Sequence, residues 1–219
     1  MLLYGSTDSG HSYKVRLFLL LASTPHRYER IDLGLPRGER PSTFRSASQF
    51  GEVPVLVDGG RAHCQSNAIL MHLAGKTGQM GGTASERASV IEWLCWEANR
   101  VGFSVPNLRY ACMWAPQPAE VMAYLHARAS ADLATLDAFL DGRQFLVASG
   151  LTIADLSCSA YLHWLDQARL SAVDHPNVAR WLDRIRELPG WQHPDRAMRD
   201  DSTTADAGTG PGNPARERT

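Results

Sequence analysis

The chain has 219 residues, 44% of them hydrophobic and 21% charged, which suits one large domain or two small ones with a real core. Its 22 Lys and Arg balance 23 Asp and Glu, for a formal net charge of -1, so the electrostatic footprint of a nucleic-acid binder is missing. The longest apolar stretch, residues 15–22, is interrupted by Arg16 and falls short of the roughly 18 residues of a membrane helix, so neither nucleic acid nor membrane is expected as a partner.

The first residues carry no charged segment, apolar run and cleavage site in series, so a cytoplasmic protein is expected. Cys64, Cys95, Cys112 and Cys158 form no C-x-x-C pair, and the eight histidines show no H-x-x-x-H spacing. Neither a disulfide framework nor a metal site is expected.

Leu2–Gly5 reads as a strand, short, apolar and closed by glycine. A polar turn over 6–12 leads into a helix over 14–22 that is apolar nearly all round, as suits one covered on most sides. A second strand is expected over 28–33. Residues 34–50 mix Gly, Pro, Arg and Ser and read as a loop holding a short irregular helix. Residues 53–57 form a strand broken by Pro54, Asp58-Gly59-Gly60 is a hairpin turn, and Arg61–Cys64 is the returning strand. Ser66 then looks like the N-cap of a helix that ends near Gly75. This order of strand, helix, strand, hairpin and helix predicts a thioredoxin-like α/β domain over residues 1–76.

The glycine-rich stretch 75–82 reads as a linker. Beyond it no strand pattern appears. Thr83-x-x-Glu86 is a capping box that starts a long helix, and Gly102, Pro106, Pro116 and Pro118 are expected to break the chain after it. Residues 118–140 show helical spacing. Thr152-x-x-Asp155 is a second capping box, with Leu151 and Leu156 placed to staple it. Pro176 opens a last clear helix, stopped by Pro189-Gly190. An all-α domain over 83–198 is therefore expected, followed by a disordered tail over 199–219, rich in Gly, Pro, Thr and Asp.

Three places carry chemistry. Between the first strand and helix, Ser6, Ser9 and Ser12 stand where a helix N-terminus favours an anion, and their hydroxyls either donate to that anion or merely cap the helix. Pro54 inside a strand pattern implies an edge strand or a cis peptide, the latter leaving the backbone of Val53 open to a bound peptide. Gln65 and Ser66 open a helix whose N–H groups either hold a carboxylate or are capped by Ser66 itself.

In their order, "LLYGSTDSGHSYKVRLFLLLA", "GEVPVLVDGG", "CQSNAILMHLA", "LTIADLSCSAYL" and "HPNVARWLDRIRELPGW" resemble segments of the cytosolic glutathione S-transferase family over roughly residues 2–198. The pattern looks most like its bacterial and zeta- or theta-like branches, where Ser or Cys replaces a tyrosine. The resemblance implies a homodimer that uses glutathione as co-substrate against a small electrophile. Ser9 would be the catalytic donor to the thiolate. Val53 before cis-Pro54 would pair with the cysteinyl unit, and Gln65 and Ser66 would hold the γ-glutamyl end. His11, Trp96, Asn99, Phe103, Tyr110 and Trp114 would line the electrophile pocket, with His11 either adding positive charge or lying on the surface. Glu52 stands where relatives carry Lys or Gln against the glycine carboxylate of glutathione, so it is expected either to turn to Arg37, Arg40 or Arg45 or to weaken binding. Ser48-Gln49 stand where the family usually has Asn-Pro. Two other readings use the same fold: a glutathione-dependent thiol–disulfide oxidoreductase with Cys64 as auxiliary thiol, and a non-catalytic binding protein.

Overall fold

In the computed structural model, which describes residues 1–199, four strands lie in the order β2-β1-β3-β4. β1 (Leu2–Gly5) pairs in parallel with β2 (Arg27–Arg30) and antiparallel with β3 (Val55–Asp58), which pairs antiparallel with β4 (Arg61–Cys64). The parallel pair needs a crossover, supplied by α1 (Gly10–Leu21). The antiparallel pair needs only Gly59-Gly60, with φ +56° and +82°, the left-handed pair that a tight hairpin requires.

Side chains alternate along β1, so Leu3 joins α1 and α3 (Ser66–Thr77) in the large core, while Tyr4 meets Phe44 of α2 (Ser42–Ala47) on the other face. The Tyr4 and Phe44 rings stand edge to face at 5.7 Å.

The rest is helical: α4 (Arg87–Asn99), α5 (Val101–Met113), α6 (Ala119–Phe139), α7 (Ile153–Ser159), α8 (Pro176–Arg186) and α9 (Pro194–Ala197). A 3-10 segment, Ala160–Trp164, continues α7. The capping box at Thr152 and Asp155 is formed, and Asp155 does more than cap. Its fully buried carboxylate accepts from the N–H of Leu146 at 2.9 Å, the N–H of Thr152 at 2.8 Å and the Trp181 indole at 3.0 Å. It thereby ties the start of α7 to α8.

Several boundaries differ from the sequence reading. α1 begins at Gly10, so Ser9 is its N-cap. The second strand is Arg27–Arg30. Gln65, at φ +66°, precedes α3 and Ser66 is its first residue, so Ser66 is not the cap. α3 passes through Gly75 and stops at Gly78, whose left-handed conformation lets its N–H reach the Ala74 carbonyl. Thr83 and Glu86 bond as a box, but they close a turn ahead of the helix, which starts at Arg87. Gly102 and Pro106 break nothing. The interruption is at Arg100 (φ -122°, ψ -109°), and Pro106 sits inside α5, where it forfeits one backbone bond. The tail expected from 199 onward lies outside the described residues except for Arg199, whose carbonyl accepts from Arg16 Nη1 at 3.0 Å.

A buried ammonium joins the two halves. Lys14, on α1, is fully buried. Its Nζ donates to Asn67 Oδ1 of α3 at 2.7 Å, Ser157 Oγ of α7 at 2.9 Å and Glu97 Oε2 of α4 at 3.0 Å. Asn67 Nδ2 donates to the same Glu97 oxygen at 2.9 Å. Burial pulls the Lys14 pKa down, and the Glu97 charge resists it. Lys14→Met strands the Glu97 carboxylate in the core, so urea unfolding is expected to show a loss of about 3–5 kcal/mol. The double replacement Lys14→Met/Glu97→Met should recover much of that loss, since an apolar pair leaves no buried charge behind.

Two histidines near this seam make stability pH-dependent. Burial, aided by the Lys14 charge, lowers the His11 pKa from 6.5 to about 4, against an opposing pull from Glu97. Burial, then Arg186 and His193, lowers that of His163 to about 3. Below about pH 6.5 the unfolded chain takes up protons that the folded chain refuses. Stability is therefore full above that pH and falls on acidification toward pH 4, at up to about 1.4 kcal/mol per pH unit for each histidine. Unfolding curves at pH 7, 6 and 5 check this, and His163→Phe should roughly halve the slope.

Candidate functional site

Two adjoining cavities open between the α/β half and the helices, of about 630 Å³ and about 780 Å³. They share Ser9, His11, Leu33, Gly102 and Phe103, so they are two arms of one cleft.

The first arm brings together Ser9, Glu52, Val53, Pro54, Gln65 and Ser66, with Cys64 beside them and Lys14, Asn67 and Glu97 at the floor. The Val53–Pro54 peptide is cis. Ser48 braces the loop before it: its Oγ donates to the Glu52 carbonyl at 2.9 Å and accepts from the Glu52 N–H at 3.0 Å.

Ser9 Oγ accepts from the Ser12 N–H at 3.1 Å. An accepting hydroxyl keeps its own proton, so capping and donation to an anion are compatible. Ser12 is fully buried in the first turn, and its Oγ accepts from the Ser6 N–H at 3.4 Å; it is neither the cap nor a lining residue. Ser66 and Asn67, in the first turn of α3, line the same arm.

Among the described residues, no arginine is paired with Glu52. Arg40 spends its guanidinium on the carbonyls of Gly51, Leu33 and Leu35 at 3.0, 3.1 and 3.2 Å, and Arg45 Nε donates to the Arg40 carbonyl. The Glu52 carboxylate instead accepts from Gln65 Nε2 at 3.4 Å. His11 adds no positive charge, because its lowered pKa keeps the imidazole neutral. Its Nδ1 is buried without a partner among the described residues.

His11, Phe103, Tyr110 and Trp114 line the second arm. Trp96 and Asn99 line neither arm. On α4 the cleft takes Glu97 and Ala98, and the 100° step per residue carries their neighbours elsewhere. Trp96 packs edge-on against Trp93 at 5.2 Å. Asn99 is exposed, with its carbonyl accepting from Arg128 Nη2 at 3.1 Å.

Sequence reasoning missed Arg109 and Tyr161 of the second arm. The Arg109 side chain is 3% exposed and lies over the Trp164 ring at 4.1 Å. It donates from Nη1 to the Asp8 carbonyl at 2.8 Å and from Nε to Gln167 at 2.7 Å, which fixes the turn ahead of Ser9. Lys14 and Glu97 were missed too, although two cations, Lys14 and Arg16, at the start of a helix otherwise apolar nearly all round were a legible signal.

Family models for the glutathione S-transferase N-terminal domain and C-terminal domain match residues 3–81 and 107–184. The disulfide-bond oxidoreductase YfcG of Escherichia coli K12 is 29% identical over 198 residues, which cover 86% of this chain and 90% of that protein. A crystal structure of a possible glutathione S-transferase from Rhodopseudomonas palustris is 30% identical with a TM-score of 0.78, over 89% of this chain and 97% of that one. A glutathione S-transferase from Xanthobacter autotrophicus Py2 gives 30% and 0.78, over 87% and 95%. With both halves matched and near-complete coverage of solved members, the chain belongs to the glutathione S-transferase family.

Proposed function

We propose that the protein binds glutathione in the first arm and activates its thiol at the N-terminus of α1 for attack on a small electrophile held in the second. The observation that carries this reading is Ser9: a hydroxyl that caps α1 by accepting from the Ser12 N–H, a role that uses none of its own protons, at the junction of the two arms. Gln65, Ser66 and the N-terminus of α3 suit the γ-glutamyl carboxylate. The main chain of Val53 suits the cysteinyl unit. Residues 1–76 thus serve glutathione and 83–198 the electrophile, in a cytoplasmic homodimer as in the family.

A free thiol has a pKa near 8.5, and lowering it by about two units takes roughly 2.7 kcal/mol. A hydroxyl bonded to the thiolate supplies about 1.5–3 kcal/mol, and the helix end about 0.3–1 kcal/mol. Ser9 keeps its proton. The thiolate attacks an electrophilic carbon, a sulfur–carbon bond forms and the leaving group departs with the electron pair.

A second reading is thiol–disulfide exchange, favoured by the likeness to the E. coli disulfide-bond oxidoreductase. There the thiolate attacks a disulfide sulfur and expels a thiolate, and a second thiol resolves the mixed disulfide. Cys64 lines the first arm and is the candidate for that step.

Calorimetry with glutathione, beside aryl-halide conjugation and disulfide-reduction assays, tests both readings. No binding would leave a non-catalytic protein on this fold. Ser9→Ala is expected to cut turnover roughly tenfold or more, because one lost bond to the thiolate is worth about 1.5 kcal/mol or more. Glutathione affinity should stay within about twofold, and loss of the cap should cost about 1 kcal/mol of stability. Cys64→Ser should lower disulfide reduction and spare conjugation. Since no arginine among the described residues neutralises Glu52 at contact, Glu52→Gln is expected to raise glutathione affinity several-fold at low salt, with a smaller gain at high salt.

A further inference from the structure

His11 is one of the residues that the two arms share with Ser9. It is the second residue of α1, and its ring is held from the helical half. Tyr161, in the 3-10 segment that continues α7, presses against Gly10: a Cβ there would meet three of its ring carbons at 2.7–2.8 Å. Position 10 therefore has to be glycine because of a residue from the other half of the chain. The Tyr161 ring also stands edge-on to His11 at 5.1 Å, with the two planes 79° apart.

The His11 pKa, lowered to about 4 chiefly by burial, keeps the imidazole neutral, with one N–H and one lone pair. Nδ1 is buried without a partner among the described residues. A buried lone pair left over is better tolerated than a buried N–H left over, so the proton belongs on Nε2. With Nδ1 sealed, Nε2 is also the nitrogen that this ring can present to the cleft it lines. It stands in the first turn of α1, where the helix favours negative charge. A neutral imidazole in such a place polarises a carbonyl by donating a hydrogen bond and does not surrender its proton.

The second arm adds an aromatic wall. Phe103, Tyr110 and Trp114 recur along α5 and its C-cap at steps that return to one helix face. They are 48%, 58% and 48% exposed, and the Tyr110 and Trp114 rings lie 5.9 Å apart, tilted by 39°. A flat ring finds offset and edge contacts on such a surface.

We propose that His11 is a catalytic hydrogen-bond donor to the electrophile and thereby sets its class: an aryl α,β-unsaturated ketone, with its ring on the aromatic wall and its carbonyl oxygen on the His11 N–H. The proposal rests on the reading of Ser9 given above and names the substrate for it. The thiolate, whose proton has gone to solvent, attacks the β-carbon. A sulfur–carbon bond forms and the carbon–carbon π pair moves onto the oxygen. Water then protonates the enolate at the α-carbon, which returns the proton that the thiol gave up. His11 keeps its proton throughout, and no group leaves.

The test compares two electrophiles that carry the same ring. In benzylideneacetone the developing charge gathers on oxygen, whereas in benzyl chloride it departs with chloride. Turnover of both, and glutathione Kd, are measured in the full chain, His11→Phe and His11→Gln. Phenylalanine keeps the edge contact with Tyr161 and strands no nitrogen, so thermal unfolding should match that of the full chain. His11→Phe is expected to lower kcat for benzylideneacetone about tenfold to a hundredfold, the worth of one bond to a charged oxygen. The loss on benzyl chloride should stay below about threefold, and glutathione Kd within about twofold. His11→Gln, which restores an N–H at nearly the reach of Nε2, should recover part of the ketone turnover. Equal losses on both electrophiles, or no loss on the ketone, would overturn the proposal and leave the reading of Ser9 standing. So would a full chain that conjugates benzyl chloride but not the ketone. If glutathione does not bind, or neither electrophile is conjugated, the reading of the site fails and the proposal with it.

Discussion

A charged ammonium in the interior constrains this molecule more than any apolar contact. Removing Lys14 from water costs several kcal/mol unless its three protons find acceptors in good geometry. The acceptors come from α3, α4 and α7, one from each. Those helices are therefore held to α1 at hydrogen-bond precision, which apolar packing alone would not impose. The seam so fixed is also the floor of the cleft, since Lys14, Asn67 and Glu97 line its first arm. Burial keeps His11 neutral at the base of the site, with the Lys14 charge adding to that effect and Glu97 opposing it.

Above that floor, the site draws on both halves of the chain. The turn before α1 is held by Arg109, and the first residue of α1 is shaped by Tyr161. The helices thus do more than wall off a pocket. They set the geometry of the turn before α1 and of its first residue, although both belong to the α/β half.

Features settled by local chemistry were legible in the sequence. The bounds of β1 and β4, the Gly59-Gly60 hairpin and the Thr152–Asp155 box each follow from a few adjacent residues. The clustering of Ser9, Glu52, Val53, Gln65 and Ser66 follows from the order of the elements that carry them, which the sequence reading had right, although α1, β3 and α3 start at other residues than it expected. What failed depended on tertiary contacts. Gly102 and Pro106 carry the marks of breakers, yet packing carries α5 through both. Trp96 and Asn99 were placed on a helix whose cleft-facing side is decided by where Glu97 must go. The partners of Lys14 are 53, 83 and 143 residues away, and no window of local periodicity reports such distances.

That spacing also bears on how the chain is made. Lys14 emerges early from the ribosome, but its last acceptor, Ser157, belongs to a part of the chain synthesised much later. Until then the ammonium keeps its water, and the seam between α1 and the later helices stays unsealed. The α/β half cannot complete its native structure while it is being translated, however well its sheet is formed. At ordinary synthesis rates of roughly 5–20 residues per second, those 143 residues correspond to about 7–29 seconds of exposure, an interval in which chaperones have access to the helix that will later carry the site.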